Sequence, residues 1–490
     1  MGDNISDPCC NNILYQKMTI PAKLTKEEYF LIGGISLLYI ILAISAAYTS
    51  PVFADEPFHL SAGYTKLKLQ DYRMQTEAPP LINMLSASPL LFMSIQDYQE
   101  SPYWINKNMI NYSHEWLYKN NYSAQTMAFI GRLPTILLGL LLGIFIFMFV
   151  RNRYNTITAS IIYFFYATHP MILTHSSIIY IDFGFLFFNF FTFITFLRFI
   201  ETKKESYLYL FFVLFSLTFL TKFTSLHGFI FYPIIIALNY RQLIQWFKYR
   251  KLQIAKHIVA FIGIFYIMIL FFYQFQGAFV PLRDAFISDP HISKTDNKYK
   301  AALSLLENNQ GVNFLSQIPN PFPYYLVKGV GYWGFDTRVT QKTFELFNSL
   351  KNVLLKNTPS IILLLIMHLF LLVHSKRSTQ RKMNYELNFL YYVIFYFLMF
   401  GLFGSFSYPR YLLMIYPFLI LLIAKPIATI VQSKIRNDYK IGIIVILLIV
   451  HLLSILPYVP NFYKFNSIFK FLIGKAGIDL PEFLDSFGFS

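Results

Sequence analysis

Residues 51–80 read PVFADEPFHLSAGYTKLKLQDYRMQTEAPP. They follow an apolar run, Tyr29 to Tyr48, of about the 20 residues that cross a bilayer. The stretch opens on two adjacent carboxylates, Asp55 and Glu56. Pro57 fixes its own φ and keeps Glu56 out of helical geometry, so a helix is expected with Glu56 as N-cap and Pro57 as first helical residue. Leu60, Tyr64 and Leu67 then share one face at helical spacing, as in a helix lying along a membrane surface. His59 comes four residues after Asp55 and three after Glu56, within reach of either. Two readings stand side by side. Acids before a helix satisfy free N–H groups and suit the positive dipole end. Two acids and a histidine beside a membrane span are also the equipment of a surface active site.

The 490 residues are 56% hydrophobic and 13% charged, against about 25% charged in an ordinary soluble domain. Repeated apolar runs make this an all-α polytopic membrane protein. The net charge of +16 does not point to nucleic acid, because the lysines and arginines collect in short segments between spans. Cys9 and Cys10 are adjacent and near the start, so no disulfide framework is expected.

The chain divides into a cytoplasmic segment 1–28, a membrane region 29–459 and a short outer tail 460–490. About 11 spans are expected, near 29–48, 128–150, 156–173, 183–200, 207–221, 225–238, 258–275, 359–373, 387–403, 411–424 and 441–459. Basic inner loops (Arg151 and Arg153; Arg241 to Lys256; Lys376 to Lys382; Lys434 to Lys440) set the orientation. Residues 50–127 and 276–358 are then outer loops. The first holds a surface or re-entrant piece, Leu81 to Ile95, and the sequons at Asn111 and Asn121. There is no internal repeat of the kind that builds many transporters.

With this register the unusual polar residues gather at the outer face: Asp55, Glu56, His59, Glu77, Arg132, His169, His175, Asp182, Lys222 and Arg410. Singly, each is explained by a cap or a snorkelling side chain. Together they describe a polar cavity able to hold an anionic lipid headgroup beside a carboxylate. Asp55, His59, Glu77 and His175 also have the donor types for a divalent metal, but their spacing matches no established ligand motif.

Several motifs resemble the GT-C glycosyltransferases of the protein O-mannosyltransferase and lipid A aminoarabinose transferase type. They are Asp55-Glu56 with His59, Gly63 and Tyr72; Pro79-Pro80-Leu81; Gly131-Arg132-Leu133-Pro134; and Pro170 followed by Asp182. Further on come Thr221-Lys222, Ile318-Pro319 to Tyr325, Lys356-Asn357-Thr358-Pro359, Pro409-Arg410-Tyr411 and Tyr416-Pro417-Phe418. Ala78 departs from the pattern, since many relatives carry His or Lys before the paired prolines. The resemblance implies a GT-C-like bundle with outer-face surface helices, and a sugar passed from a polyprenyl-phosphate donor to an acceptor hydroxyl on a glycan, lipid or protein. It implies Asp55 as the base with Glu56 beside it. His59, Asp182, Glu77, Lys222, Arg410 and Arg132 are then substrate-binding residues, no metal is implied, and the anomeric centre is inverted. A flippase or transporter of lipid-linked sugars, and an oligosaccharide ligase or polymerase, are the alternatives. Lys-, Ile-, Asn- and Phe-rich usage favours a bacterial inner membrane; the endoplasmic reticulum is the eukaryotic counterpart.

Overall fold

The computed structural model describes residues 23–249, 251–281, 284, 322–326, 346–374, 384–403 and 409–468. Cys9 and Cys10, the Ile318-Pro319 motif, the basic loop Lys376 to Lys382 and the last residues of the tail lie outside the described residues. The described chain is helical, with no extended strand.

Helix α1 (Lys26–Thr49) begins at a capping box in which Thr25 and Glu28 satisfy each other's backbone N–H groups. Beyond the 51–55 corner come α2 (Glu56–Lys68), α3 (Pro80–Ala87), α4 (Pro102–Ile105) and α5 (Met109–Tyr118). Helix α6 (Ala124–Arg153) is capped by Ser123 and α7 (Thr156–Ala167) by Asn155. Then follow α8 (Pro170–Ser176), α9 (Ile181–Thr202), α10 (Glu205–Phe219), α11 (Gly228–Leu238), α12 (Tyr240–Tyr249) and α13 (Lys251–Phe272). The later part holds α14 (Leu346–Lys356), α15 (Pro359–His374), α16 (Tyr385–Phe403), α17 (Tyr416–Leu422), α18 (Ala424–Gln432) and α19 (Asn437–Ile455).

Among the described residues six segments are long and apolar enough to cross a membrane: α1, α6, α9, Gln253–Phe272, Pro409–Gln432 and Asn437–Tyr458. Two bent pairs, α7 with α8 (57°) and α14 with α15 (117°), raise the number to eight. Each pair breaks where proline stands at the start of the second helix, because proline disfavours helical geometry in the residue before it. Eleven would need three of the four shorter apolar helices, Pro80–Phe92, Glu205–Phe219, Phe223–Leu238 and Tyr385–Phe400, to cross as well, so the expected count is not established. The chain is a helical integral membrane protein. The expected span at 411–424 is longer than thought and starts in a 3-10 turn at Pro409–Ile415.

Aromatic packing fills the space between spans. Phe190, Phe193, Phe389 and Tyr392 surround Phe418, with ring centres 4.2–5.5 Å away. Helix α2 is not the surface helix its apolar face suggests. Leu60 and Tyr64 are buried, but so are Ser61, Ala62, Thr65 and Lys66. Helices α3 and α5 cover it, with Ser61 Oγ 2.8 Å from Ser113 Oγ and Tyr64 packed on Trp116. The close approach requires Gly63, where a Cβ would stand 1.9 Å from the Asn83 carbonyl oxygen on α3. The obstacle is backbone, so the helices must part. Gly63→Ala is expected to destabilise the protein by on the order of 3 kcal/mol, read as a lower unfolding temperature in detergent.

Candidate functional site

The 51–55 corner between α1 and α2 is fixed by a buried ion pair. Arg132, about two turns inside α6, sends Nε and Nη2 to the two oxygens of Glu56 at 2.8 and 2.5 Å. Its Nη1 donates to the carbonyls of Ala47 (2.6 Å) and Ser50 (3.1 Å), and Nη2 also donates to Pro51 (2.6 Å). A guanidinium has five N–H donors, and all five are used. Glu56 also accepts from the backbone N–H of Phe53 (2.8 Å) and Ile179 (2.9 Å). Four acceptor sites on the carboxylate meet four donors. Both side chains are fully buried. Glu56, expected beside the base, and Arg132, expected to bind substrate, are thus bonded to each other and to the backbone around them. Neither has a hydrogen-bonding site left for a substrate, and together they join the end of α1, the start of α2, α6 and the 177–180 turn.

The helix start also differs from expectation. Asp55 is the N-cap, Glu56 the first helical residue and Pro57 the second. The Asp55 carboxylate makes no capping bond. It lies 3.0 Å from Arg410 Nη1 and keeps 35% of its side-chain surface exposed. Capping of α2 therefore explains neither acid, since Glu56 takes the N–H of Phe53, outside the helix.

Arg410 stands at the start of the Pro409–Ile415 turn, over the rings of Tyr180 (5.3 Å) and Tyr411 (5.5 Å). Tyr411 also carries Lys222 on its face at 4.8 Å. Lys222 Nζ donates to Asp182 Oδ1 at 2.5 Å, and Asp182 lies in the first turn of α9, where a carboxylate suits the helix dipole. The turn carrying Lys222 meets the paired prolines. Pro80 has no N–H, and the next donor, Leu81 N, bonds Leu220 O at 3.1 Å. The structure therefore brings Asp55, Arg410, Lys222 and Asp182 together along one line of aromatic faces.

His59 sits beside this line, its ring edge-on to Tyr180 at 6.2 Å. It does not hydrogen-bond either acid of the pair before it. Its Nδ1 lies 3.0 Å from Asn83 Oδ1 and 2.9 Å from Gln75 Nε2, and Asn83 Nδ2 donates to Gln75 Oε1. Burial pushes its pKa down, against the pull of Asp55. Glu77 is half-buried at the far side of this network, where its charge acts on Lys66. Among the described residues no three of His, Cys, Asp and Glu gather in a way that could hold a metal ion.

Three features escaped the sequence reading. Tyr180 and Tyr411 carry the cations, but nothing separates them from the other 34 tyrosines of 36 in the chain. Gln75 and Asn83 were overlooked because uncharged amides leave no periodic signal. A cavity of about 20 Å3, room for a single water, lies behind Arg410. His175, Lys356 and Arg410 line it with Tyr463 of the tail. His169 is tied to Asn357 at 3.2 Å.

Residues 71–284 match the model of the family described as dolichyl-phosphate-mannose-protein mannosyltransferase. The matched part includes Asp182 and Lys222 and leaves Asp55 and Arg410 outside it. No curated protein matches the chain. Among solved structures it is similar to ArnT from Cupriavidus metallidurans in the apo state, with TM-score 0.36 and 13% identity over 82% of this chain and 79% of that one. It is likewise similar to ArnT from the same organism bound to undecaprenyl phosphate, with TM-score 0.35 and 12% identity over 84% and 82%.

Two measurements follow from this geometry. Lysine cannot reproduce the five donors of Arg132, and breaking a buried pair costs about 3–5 kcal/mol. Arg132→Lys should lose most of the detergent-stable folded protein, measured by size-exclusion yield and unfolding temperature. Lys66 is buried on α2 with one long bond, 3.4 Å to Gln75 O, and desolvation pushes its pKa from 10.5 down to about 7 despite Glu77. The unfolded chain then holds a proton that the folded one has lost between about pH 7 and 10.5, so stability rises with pH across that window. The unfolding temperature should climb less steeply over it in Lys66→Met than in the wild type.

Proposed function

We propose that this chain, a glycosyltransferase of the GT-C, family-39-like kind, moves a sugar from a polyprenyl-phosphate donor to an acceptor hydroxyl at the non-cytosolic face of its membrane. The family description names a dolichyl-phosphate-linked sugar, which supports a lipid-phosphate donor here. The acceptor class stays as wide as a glycan, a lipid or a protein hydroxyl. A bacterial inner membrane is our assignment, from residue usage.

The observation that carries the reading is the Asp55–Arg410 pair, 3.0 Å apart, partly exposed and backed by Lys222 and Asp182. The acceptor O–H attacks the anomeric carbon as the bond from that carbon to the phosphate oxygen breaks. Asp55 takes the acceptor proton, and the bonding pair leaves with the phosphate. Phosphate is a good leaving group, so no second acid is needed, unlike a glycoside hydrolase with its two carboxyls. Arg410 is the first cation for that phosphate and Lys222 the second. An arriving phosphate draws Arg410 away from Asp55 and frees the carboxylate to act as base. Asp182 orients Lys222, and His59, held by Gln75 and Asn83, orients the acceptor side. One displacement inverts the anomeric centre.

The face is argued from α6. Arg132 binds the outer corner, while Arg151 and Arg153 lie 19 and 21 residues further on, about 28–32 Å along a helix. Basic residues mark the cytosolic end of a span, so the Asp55 end faces away from the cytosol.

Asp55→Asn should lower transfer by about 10²–10⁴-fold in membranes supplied with labelled polyprenyl-phosphate sugar, with binding of the donor retained. Arg410→Gln should weaken donor binding as well. Undiminished transfer by Asp55→Asn, or retained anomeric configuration in the product by NMR, would refute the mechanism.

A further inference from the structure

Away from the site, helices α10, α11, α12 and α13 line a cavity of about 250 Å3. Leu208, Phe211, Phe212 and Phe215 of α10 form its buried wall. Phe229 and Pro233 of α11 and Ile258 of α13 form an exposed rim. The span Gln253–Phe272 that carries Ile258 is mostly uncovered by the rest of the protein, so the rim faces the bilayer.

Two polar side chains line this apolar space. His257 is 4% exposed, and neither of its ring nitrogens has a hydrogen-bond partner. Its Nε2 lies 3.8 Å from Glu205 Oε1, too far for a hydrogen bond. Trp246 stacks on His257 with ring centres 5.7 Å apart and leaves its Nε1 without an acceptor. Buried polar groups are almost always hydrogen-bonded. Unmatched nitrogens on two touching rings at the edge of an apolar cavity call for a ligand with an apolar body that brings its own oxygens.

This polar end lies at the membrane edge opposite the Asp182 end. Phe199, whose ring meets Trp246 edge-on at 5.3 Å, is 17 residues after Asp182 on α9, about 25 Å along a helix. Lys204 and Lys256 each precede one member of the Glu205–His257 contact, and both are exposed. Two cations against one carboxylate leave this edge positive, and basic clefts between spans suit anionic headgroups.

We propose that the cavity holds one acyl chain of an anionic phospholipid, taken from the leaflet opposite the Asp55–Arg410 pair. The chain lies against the α10 wall. Its ester oxygens accept from Trp246 Nε1 and from the ring N–H of His257, and its phosphate stays at the edge with Lys204 and Lys256. A polyprenyl phosphate does not fit these demands. Its chain has no oxygen for Trp246 or His257, and its phosphate would sit about 25 Å from the cations proposed to bind it. The inference is independent of the sugar-transfer reading.

The test is native mass spectrometry of the full-length protein in detergent, titrated with dioleoyl phosphatidylglycerol, dioleoyl phosphatidylcholine or farnesyl phosphate. One phosphatidylglycerol per chain should be retained, at a concentration roughly three- to tenfold lower than phosphatidylcholine needs. Trp246→Phe keeps an aromatic ring and removes the donor, and should weaken phosphatidylglycerol binding roughly three- to tenfold. Ile254 lines the cavity, so Ile254→Trp should fill it and abolish that binding. Lys204→Gln combined with Lys256→Gln should bring the two phospholipids to equal affinity. The unfolding temperature of each variant without added lipid reports its fold, and if Ile254→Trp does not fold, Trp246→Phe decides. Equal retention of the two phospholipids by the wild type, or unchanged binding in Trp246→Phe, would overturn the assignment. So would displacement of phosphatidylglycerol by farnesyl phosphate, which would give the cavity to the tail of a prenyl lipid.

Discussion

The site depends on a carboxylate and a guanidinium that have nothing left to offer it. Removing Glu56 and Arg132 from water is costly, and such a pair is tolerated only when every donor and acceptor is matched. Here they are, and the matching groups come from four places: the last turn of α1, the 51–53 backbone, the 177–180 turn and α6. The corner between α1 and α2 therefore has one conformation. Asp55, the preceding residue, has no share in this network and points at Arg410. One acid of the pair is consumed so that the other can be aimed.

The two acids show how environment divides labour between like groups. The Glu56 pair is sealed, so its exchange with any other partner would strand a buried charge. The Asp55 pair is partly open to solvent, and a pair of that kind adds little stability. Exchanging its partner for a phosphate or an acceptor hydroxyl is correspondingly cheap. Lys222 and Asp182 are more enclosed, which suits a cation that is held in place rather than one that switches partners.

Much of this was legible in the sequence, and the limit is physical. Apolar runs gave the membrane class. The choice between Asp55 and Glu56 was not legible, because both fit an N-cap and only the location of Arg132 decides. Nor was the burial of α2, whose polar residues look solvent-bound until α3 and α5 cover them. Asp55 and Arg410 are 355 residues apart, and a contact across that separation leaves no periodic trace. The pattern of basic loops, not local spacing, led to the expectation that they share one face.

The far end of the bundle bears on what kind of machine this is. Glu28 on α1 takes bonds from Arg151 and Thr156, each at 2.6 Å, tying α1 to α6 and α7. Glu386 on α16 takes bonds from Tyr154 and Lys425, each at 2.8 Å, tying the α6–α7 link to α16 and α18. Helices from the first and last thirds of the chain are thus pinned together at the end carrying Arg151 and Arg153. An alternating-access carrier must open there as well as at the Asp55 end, and would have to break these two enclosed ion pairs in each cycle. An enzyme serving one surface has no such need. Rigidity at the pinned end and a partly exposed ion pair at the other therefore fit the proposed enzyme better than a carrier.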